Sequence, residues 1–464
     1  MSIARILSLG AICSSLCVVT ASAQSTDVPV KFPATWKYPA GGNAAFAQHA
    51  MVASSSRVAA AAGVEILKAG GNAVDAAVAV GFALAVVYPE AGNIGGGGYM
   101  IIRMADGRTA AIDYREVAPA AATRDMFADS LGRITSFSIS GRSASGVPGA
   151  VAGLTAVHAK FGVLPLAKVM EPAIRLADGY VVDSALAHSI AGGQRHISEF
   201  SGAQVFLPDG KPIAAGNRLV QSDLAHTLRL IASKGRDGFY RGETAEKIAA
   251  EMQRGCPSGI APKWRASHGC GLITLEDLAK YKPAWRNPIT TGFRGYSLLT
   301  MPPSSSGGIT VSETLNILAG FPSLPAFGTS QYTHLLASAF QRAFIDRNSL
   351  LGDPDFVKVP TEMLASRAHA DKLRATIDPL RATPTPSVAK TMREGTETTQ
   401  YSVVDAAGNA VSTTTTLNSL FGSKVFVTGG GFFLNDEMDE LSAGAGHPNM
   451  FGLIEGEANA IAPG

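Results

Sequence analysis

The chain has 464 residues, 46% of them hydrophobic, with a formal net charge of +2. That is ample apolar material for a large core or for two closely joined lobes. The near-neutral charge and the absence of basic clusters give no sign of nucleic-acid binding.

Met1 to Ala23 carries the parts of an export signal: Arg5 is a short positive region, Ile6 to Thr20 an apolar run, and Ala21-Ser22-Ala23 a small-x-small cleavage pattern. Cleavage there leaves Gln24 first and sends the protein to the periplasm or outside the cell. The apolar run is short for a membrane span, with an uncleaved anchor as the alternative. Ser54 to Ser56 can cap a helix over Val58 to Lys68, stopped by Gly70 and Gly71. Asn72 can cap a second helix, AVDAAVAVGFALAVVY, which Pro89 ends. That helix is apolar almost all round but holds Asp75 and falls short of the roughly 20 residues a span needs, so it reads as a buried core helix.

Gly95 to Gly98 lacks the Lys-Ser/Thr of a phosphate cradle, so close backbone packing or approach to a ligand is the better reading. The glycines lead into a strand over Tyr99 to Met104, which pairs with Thr109 to Tyr114 across the Asp106-Gly107 turn. Arg115 follows, an ordinary ion-paired residue on its own terms. Helices are expected over 150–161, 166–177, 219–233 and 245–253. Cys256 and Cys270 bracket a polar insertion; after loss of Cys13 and Cys17 with the signal they are the remaining cysteines. In an oxidising compartment they can form a disulfide, stabilising by about 3 kcal/mol. Free thiols are the alternative, and with His268 they are too few for a closed zinc site. MPPSSSGG, from Met301, reads as a rigid turn before a helix through Leu318, and Asp353-Pro354-Asp355 as a turn. Ala382 to Lys390 is a Pro-rich linker whose S-x-x-K match lacks its supporting elements.

Two β-branched runs, Thr398 to Asp405 and Asn409 to Thr416, flank a three-residue Ala-Ala-Gly loop and predict a hairpin. If Asp405 faces Asn409, Thr398 lies opposite Thr416, with Asn418 just beyond. A Thr hydroxyl needs a base to act as a nucleophile, and the α-amine freed by cleavage between Glu397 and Thr398 can supply one. Taken alone, these threonines are better explained by strand propensity.

TTQYSVVD, TLNSLFG and LNDEMDEL, with AGNIGGGGYM, IDYREVAPAAATRDMF, MPPSSSGG and LGDPDFVKVP upstream, closely resemble the γ-glutamyltranspeptidases, which are N-terminal-nucleophile hydrolases. The resemblance runs from about Met51 to the last residue. It implies an α+β fold, the four-layer αββα sandwich, with residues 24–397 as a large-subunit region and 398–464 as the start of a small-subunit region that stay associated after self-cleavage. It implies Thr398 as nucleophile and Thr416 as its orienting partner. Arg115 would hold the substrate α-carboxylate, and Asn418, Glu437 and Glu440 its α-ammonium, with no metal or organic cofactor needed. Donors would be glutathione and other γ-glutamyl compounds, and acceptors water, amino acids or peptides.

Departures accompany the match. The family usually has Asp where Glu440 stands, and often His where Gln400 follows the Thr pair. His447 to Phe451 falls in the family's lid segment. The family also continues past Gly464 into a segment with a Ser-Ser pair and an oxyanion-binding Gly-Gly pair, so the chain reads as C-terminally truncated, with the later sheet strands missing. A glutaryl-type acylase, and an inactive remnant that only binds γ-glutamyl compounds, are the alternatives. Without the resemblance, Asp436 to Glu440 reads as a solvated charged turn.

Overall fold

The computed structural model describes residues 45–200, 203–384, 398–441, 447–450 and 457–464. The export signal, most of the Pro-rich linker with its S-x-x-K string, Glu397 and Phe451 lie outside these residues. Gln48–Gly464 forms one compact unit.

Ten strands are present among the described residues: β1 (Met51–Ala53), β2 (Gly97–Arg103), β3 (Thr109–Asp113), β4 (Tyr180–Val181), β5 (Arg218–Leu219), β6 (Ala284–Arg286), β7 (Ile289–Phe293), β8 (Tyr296–Thr300), β9 (Thr399–Val404) and β10 (Ala410–Thr416). Six of them make an antiparallel sheet in the order β1-β9-β10-β2-β3-β6. The β9–β10 hairpin is central, and its register pairs Ala410 with Val404 and Thr415 with Thr399. The expected register therefore holds, with Asp405 and Asn409 just outside the strands, joined by the Asp405 N–H donating to the Asn409 carbonyl at 3.1 Å.

Helix α1 (Arg57–Lys68) starts at Ser56, whose hydroxyl accepts from the Ala59 N–H. Helix α2 (Ala73–Val87) starts in a capping box between Asn72 and Asp75, and all of its residues are buried. It ends at Val87, one residue short of the expected Tyr88. Asp405, in the hairpin turn, accepts from the Ala73 N–H at 2.8 Å. A carboxylate there satisfies a helix N-terminal donor and sits at the positive end of the dipole, so the turn and α2 fix each other's position.

Alternation along the strands divides the sheet into two faces. Met100, Ile102, Tyr401, Val403 and Val411 are buried with α2 in the main core. Thr416, Thr414 and Gln400 belong to the other face, as does Tyr99, whose hydroxyl shares a 2.8 Å hydrogen bond with Ser304. Helices α3 (Ala150–Phe161) and α4 (Leu166–Ala177) match the expected bounds. Helix α5 (Ser184–Ile197) was not anticipated; α6 (Ser222–Lys234) starts three residues later than expected because Arg218–Leu219 is strand, and α7 (Asp237–Tyr240), α8 (Gly242–Gln253) and α9 (Leu275–Lys280) complete this region. Cys256 and Cys270 form a disulfide. The MPPSSSGG turn leads into α10 (Gly307–Ala319), which packs with α11 (Ser330–Leu350), α12 (Thr361–Leu364) and α13 (Arg367–Arg374). No helix among the described residues is long and apolar enough to cross a membrane.

Candidate active site

Thr398 immediately precedes β9, and its Oγ1 lies 3.4 Å from Thr416 Oγ1 at the end of β10. The Asn418 N–H donates to Thr416 Oγ1 at 2.9 Å. With an acceptor site of Thr416 filled, its own proton is free to point at Thr398. Asn418 reaches this position with a left-handed backbone (φ 77°), which asparagine tolerates better than most residues. Its side-chain amide donates to the Asp436 carbonyl at 3.1 Å.

The tetraglycine run holds Thr416 from the neighbouring strand. A Cβ on Gly96 would lie 2.2 Å from the Thr416 carbonyl oxygen, and one on Gly98 2.2 Å from that of Thr414. Asn93 completes the join: its amide donates to the Thr416 carbonyl at 2.8 Å while its oxygen accepts from the Gly96 N–H at 2.8 Å. Close backbone packing is thus what these glycines serve.

A second group of residues sits two strands across. Thr416 pairs with Gly97, and the Tyr114 N–H donates to the Gly98 carbonyl, which places Arg115 just past that edge. The Arg115 guanidinium pairs with Glu437, approaches Glu116 Oε2 at 3.7 Å and lies 5.6 Å from the Tyr99 ring centroid. Its backbone is held at both ends, by its N–H donating to Asp113 at 3.0 Å and by Tyr281 donating to its carbonyl at 2.7 Å. Burial pushes the Glu116 carboxyl up to about 7, against the lowering pull of Arg115.

The acidic run is not a solvated turn. Asp436, Glu437 and Asp439 are buried, at 0%, 5% and 4% exposure. Asn435, which sequence reasoning passed over, is their anchor. Its amide donates to the Gly95 and Gly146 carbonyls at 2.9 Å each, and its oxygen accepts from the Gly146 and Glu437 N–H groups at 2.8 and 3.1 Å. That uses the full capacity of a carboxamide. The signal for it was a polar side chain directly after the apolar GGFFL string. Asp436 is bound by Ser419, through its N–H at 2.9 Å and its hydroxyl at 2.5 Å, with Lys424 at 3.6 Å. Burial is the main cause of the Asp436 carboxyl rising to about 6.

Arg115, Glu437 and Glu440 line a cleft of 320 Å³, together with Tyr99, Ser304 and Arg286. Thr398, Thr416 and Asn418 are not among the described residues lining it; they join it through the Asn418 bond to Asp436, next to Glu437. Glu440 accepts from Asn449 at 3.3 Å, and Met450 donates its N–H to Asp439 at 2.8 Å, so Asn449 and Met450 lie against the acidic run. The Asp353-Pro354-Asp355 turn adds a wall, where Asp355 pairs with Arg286 at 2.7 Å.

The sequence profile described as Gamma-glutamyltranspeptidase matches residues 59–464. A glutathione hydrolase proenzyme of Escherichia coli (strain K12) is 46% identical over 425 residues, covering 90% of this chain and 71% of the relative. An acylase ACY 1 proenzyme of Pseudomonas sp. (strain SE83) is 39% identical, covering 94% of this chain and 76% of the relative. Among solved structures, the γ-glutamyltranspeptidase of Helicobacter pylori superposes with a TM-score of 0.68 at 38% identity, covering 76% of this chain and 100% of that one. The cephalosporin acylase of Bacillus halodurans gives a TM-score of 0.77 at 32% identity, covering 93% and 76%. By sequence and by its α+β fold, the chain belongs to the γ-glutamyltranspeptidase family of N-terminal-nucleophile hydrolases.

Proposed function

We propose that the chain is a self-cleaving γ-glutamyltransferase and glutathione hydrolase in which Thr398 is the nucleophile. The observation that carries this reading is the 3.4 Å approach of the Thr398 and Thr416 hydroxyls, with Thr416 oriented by the Asn418 N–H. Scission before Thr398 frees its α-amine, which takes the proton from its own Oγ as that oxygen attacks the γ-amide carbonyl. The amine leaves protonated, and a γ-glutamyl ester remains on Thr398. Water then releases glutamate, or an amino acid or peptide amine takes the glutamyl group.

Three strand spacings, about 14 Å, separate the β9 and Arg115 backbones. The Arg115 side chain and a glutamyl chain together can bridge that span. Arg115 presents a planar fork to the α-carboxylate. Glu437, with Asn418 and Glu440, receives the α-ammonium. Arg115 and Glu437 pair with each other in the structure. A zwitterionic glutamyl group exchanges that pair for two, keeping both charges matched.

The acylase relatives favour a second reading, a glutaryl donor. A glutaryl group has a carboxylate for Arg115 but no ammonium for Glu437, so it would leave a buried charge unmatched. Export to the periplasm or the medium is part of the proposal, resting on the N-terminal sequence pattern.

Mass spectrometry of the exported protein tests the scheme. It should give two chains, the smaller beginning at Thr398, and release of amine from a γ-glutamyl anilide that Thr398→Ala abolishes. An uncut chain without activity would support the binding remnant instead, and faster turnover of a glutaryl amide would support the acylase.

A further inference from the structure

Helices α10, α11 and α13 bring together Glu313, Asp346 and His369, none of which lines the cleft. One donor atom from each lies within 4.8 Å of the others. His369 Nε2 is 2.6 Å from Asp346 Oδ2 and 3.8 Å from Glu313 Oε1. Those separations bracket the spacing of about 3.4 Å that donors take around a tetrahedral ion with bonds near 2.1 Å.

Glu313 gives the cluster its meaning. It is 0% exposed, no N–H or hydroxyl donor among the described residues bonds either carboxylate oxygen, and its side chain meets that of Asp346. Its neighbours on α10 include Ile309 and Ile317, both buried in apolar clusters. The His369 Nε2 that faces both carboxylates is taken up by Asp346, at 2.6 Å. A second carboxylate facing the same ring from inside the core either shares a proton with Asp346 or needs a cation between them, because buried charges are neutralised, paired or bind metal.

We infer that Glu313, Asp346 and His369 form a binding site for a divalent transition-metal ion, with zinc the ion best suited to an imidazole and two carboxylates. The ion cross-links three helices that otherwise meet through apolar side chains. Its remaining coordination position goes to water. Nothing in the acyl-transfer scheme uses it, so the site is structural.

The test uses the full chain, stripped with a chelator and titrated with Co2+ as a spectroscopic stand-in for Zn2+. One equivalent should bind, with visible ligand-field absorption, and Zn2+ should displace it and raise the thermal midpoint. Glu313→Gln and His369→Gln should each weaken binding more than about 100-fold, beyond the effect typical of an outer-shell partner. His226→Gln should leave it unchanged, although that exposed ring lies 3.0 Å from Glu243. Should the variants fail to fold, anomalous scattering from Co2+-loaded wild-type crystals decides, with the ion expected between α10, α11 and α13. Absence of stoichiometric binding, unchanged binding in His369→Gln, or an ion elsewhere would overturn the inference.

Discussion

Thr416→Val is the sharpest test of how the nucleophile is held. Valine keeps the branched shape and strand preference of threonine and removes only the hydroxyl. Two consequences follow from the bonds that hydroxyl makes. The Asn418 N–H, 6% exposed as a residue, loses its 2.9 Å acceptor, which should cost about 1–3 kcal/mol of stability. The 3.4 Å contact to Thr398 also disappears. An orienting neutral hydrogen bond is worth about 0.5–1.5 kcal/mol, so self-cleavage and anilide turnover should each slow roughly 2- to 13-fold. Thr416→Ser should recover most of the rate. Thr414→Val is the matched control, two residues back on the same face, where the hydroxyl donates at 2.6 Å to the exposed Gln400 side chain. Precursor and product are followed by mass spectrometry during cell-free synthesis, and stability by urea unfolding. Wild-type cleavage by Thr416→Val, or equal slowing by Thr414→Val, would refute the argument.

Arg115→Lys replaces a planar fork with a point charge, and loss of a charge-assisted hydrogen bond should raise KM for the γ-glutamyl anilide roughly 10- to 150-fold; an effect on kcat alone would contradict a binding role. Gly96→Ala places a Cβ against the Thr416 carbonyl, 2.2 Å away, and should cost about 1–3 kcal/mol or more in thermal unfolding. Gly192→Ala, in α5 with nothing within 4 Å of the added carbon, should gain about 0.5–1 kcal/mol in the same measurement. Glu116 titrates near 7 folded and at ordinary carboxyl values unfolded, so its contribution is fully present below about 4.5 and is lost as pH rises through about 7. That loss is about 3 kcal/mol at most, and Glu116→Gln should flatten the fall in stability between pH 5 and 8; an unchanged slope would remove Glu116 from the account.

Features that depend on neighbouring residues are legible in the sequence. The caps at Ser56 and Asn72, the helices over 150–161 and 166–177, and the Asp106-Gly107 turn follow from local chemistry. So does the hairpin register, because a loop of fixed length leaves one pairing when Asp405 meets Asn409. The order of the motifs gives the family. Where reasoning from neighbours goes astray, long-range contacts have taken over. Asp436 to Glu440 looks like a solvated charge run, yet Asn435, Ser419 and Lys424 carry it into the core.

By itself, then, the chain's order of residues determined the local elements, the facing of Thr398 and Thr416, and which two cysteines were available to pair. Tertiary structure alone decided that Arg115 meets Glu437 across 322 positions, that Asn435 locks two glycine loops, and that Glu313, Asp346 and His369 converge from three helices. The reason is physical: periodicity and capping act over a few residues, whereas the cost of burying a charge or an amide is settled by whichever distant group the fold brings against it.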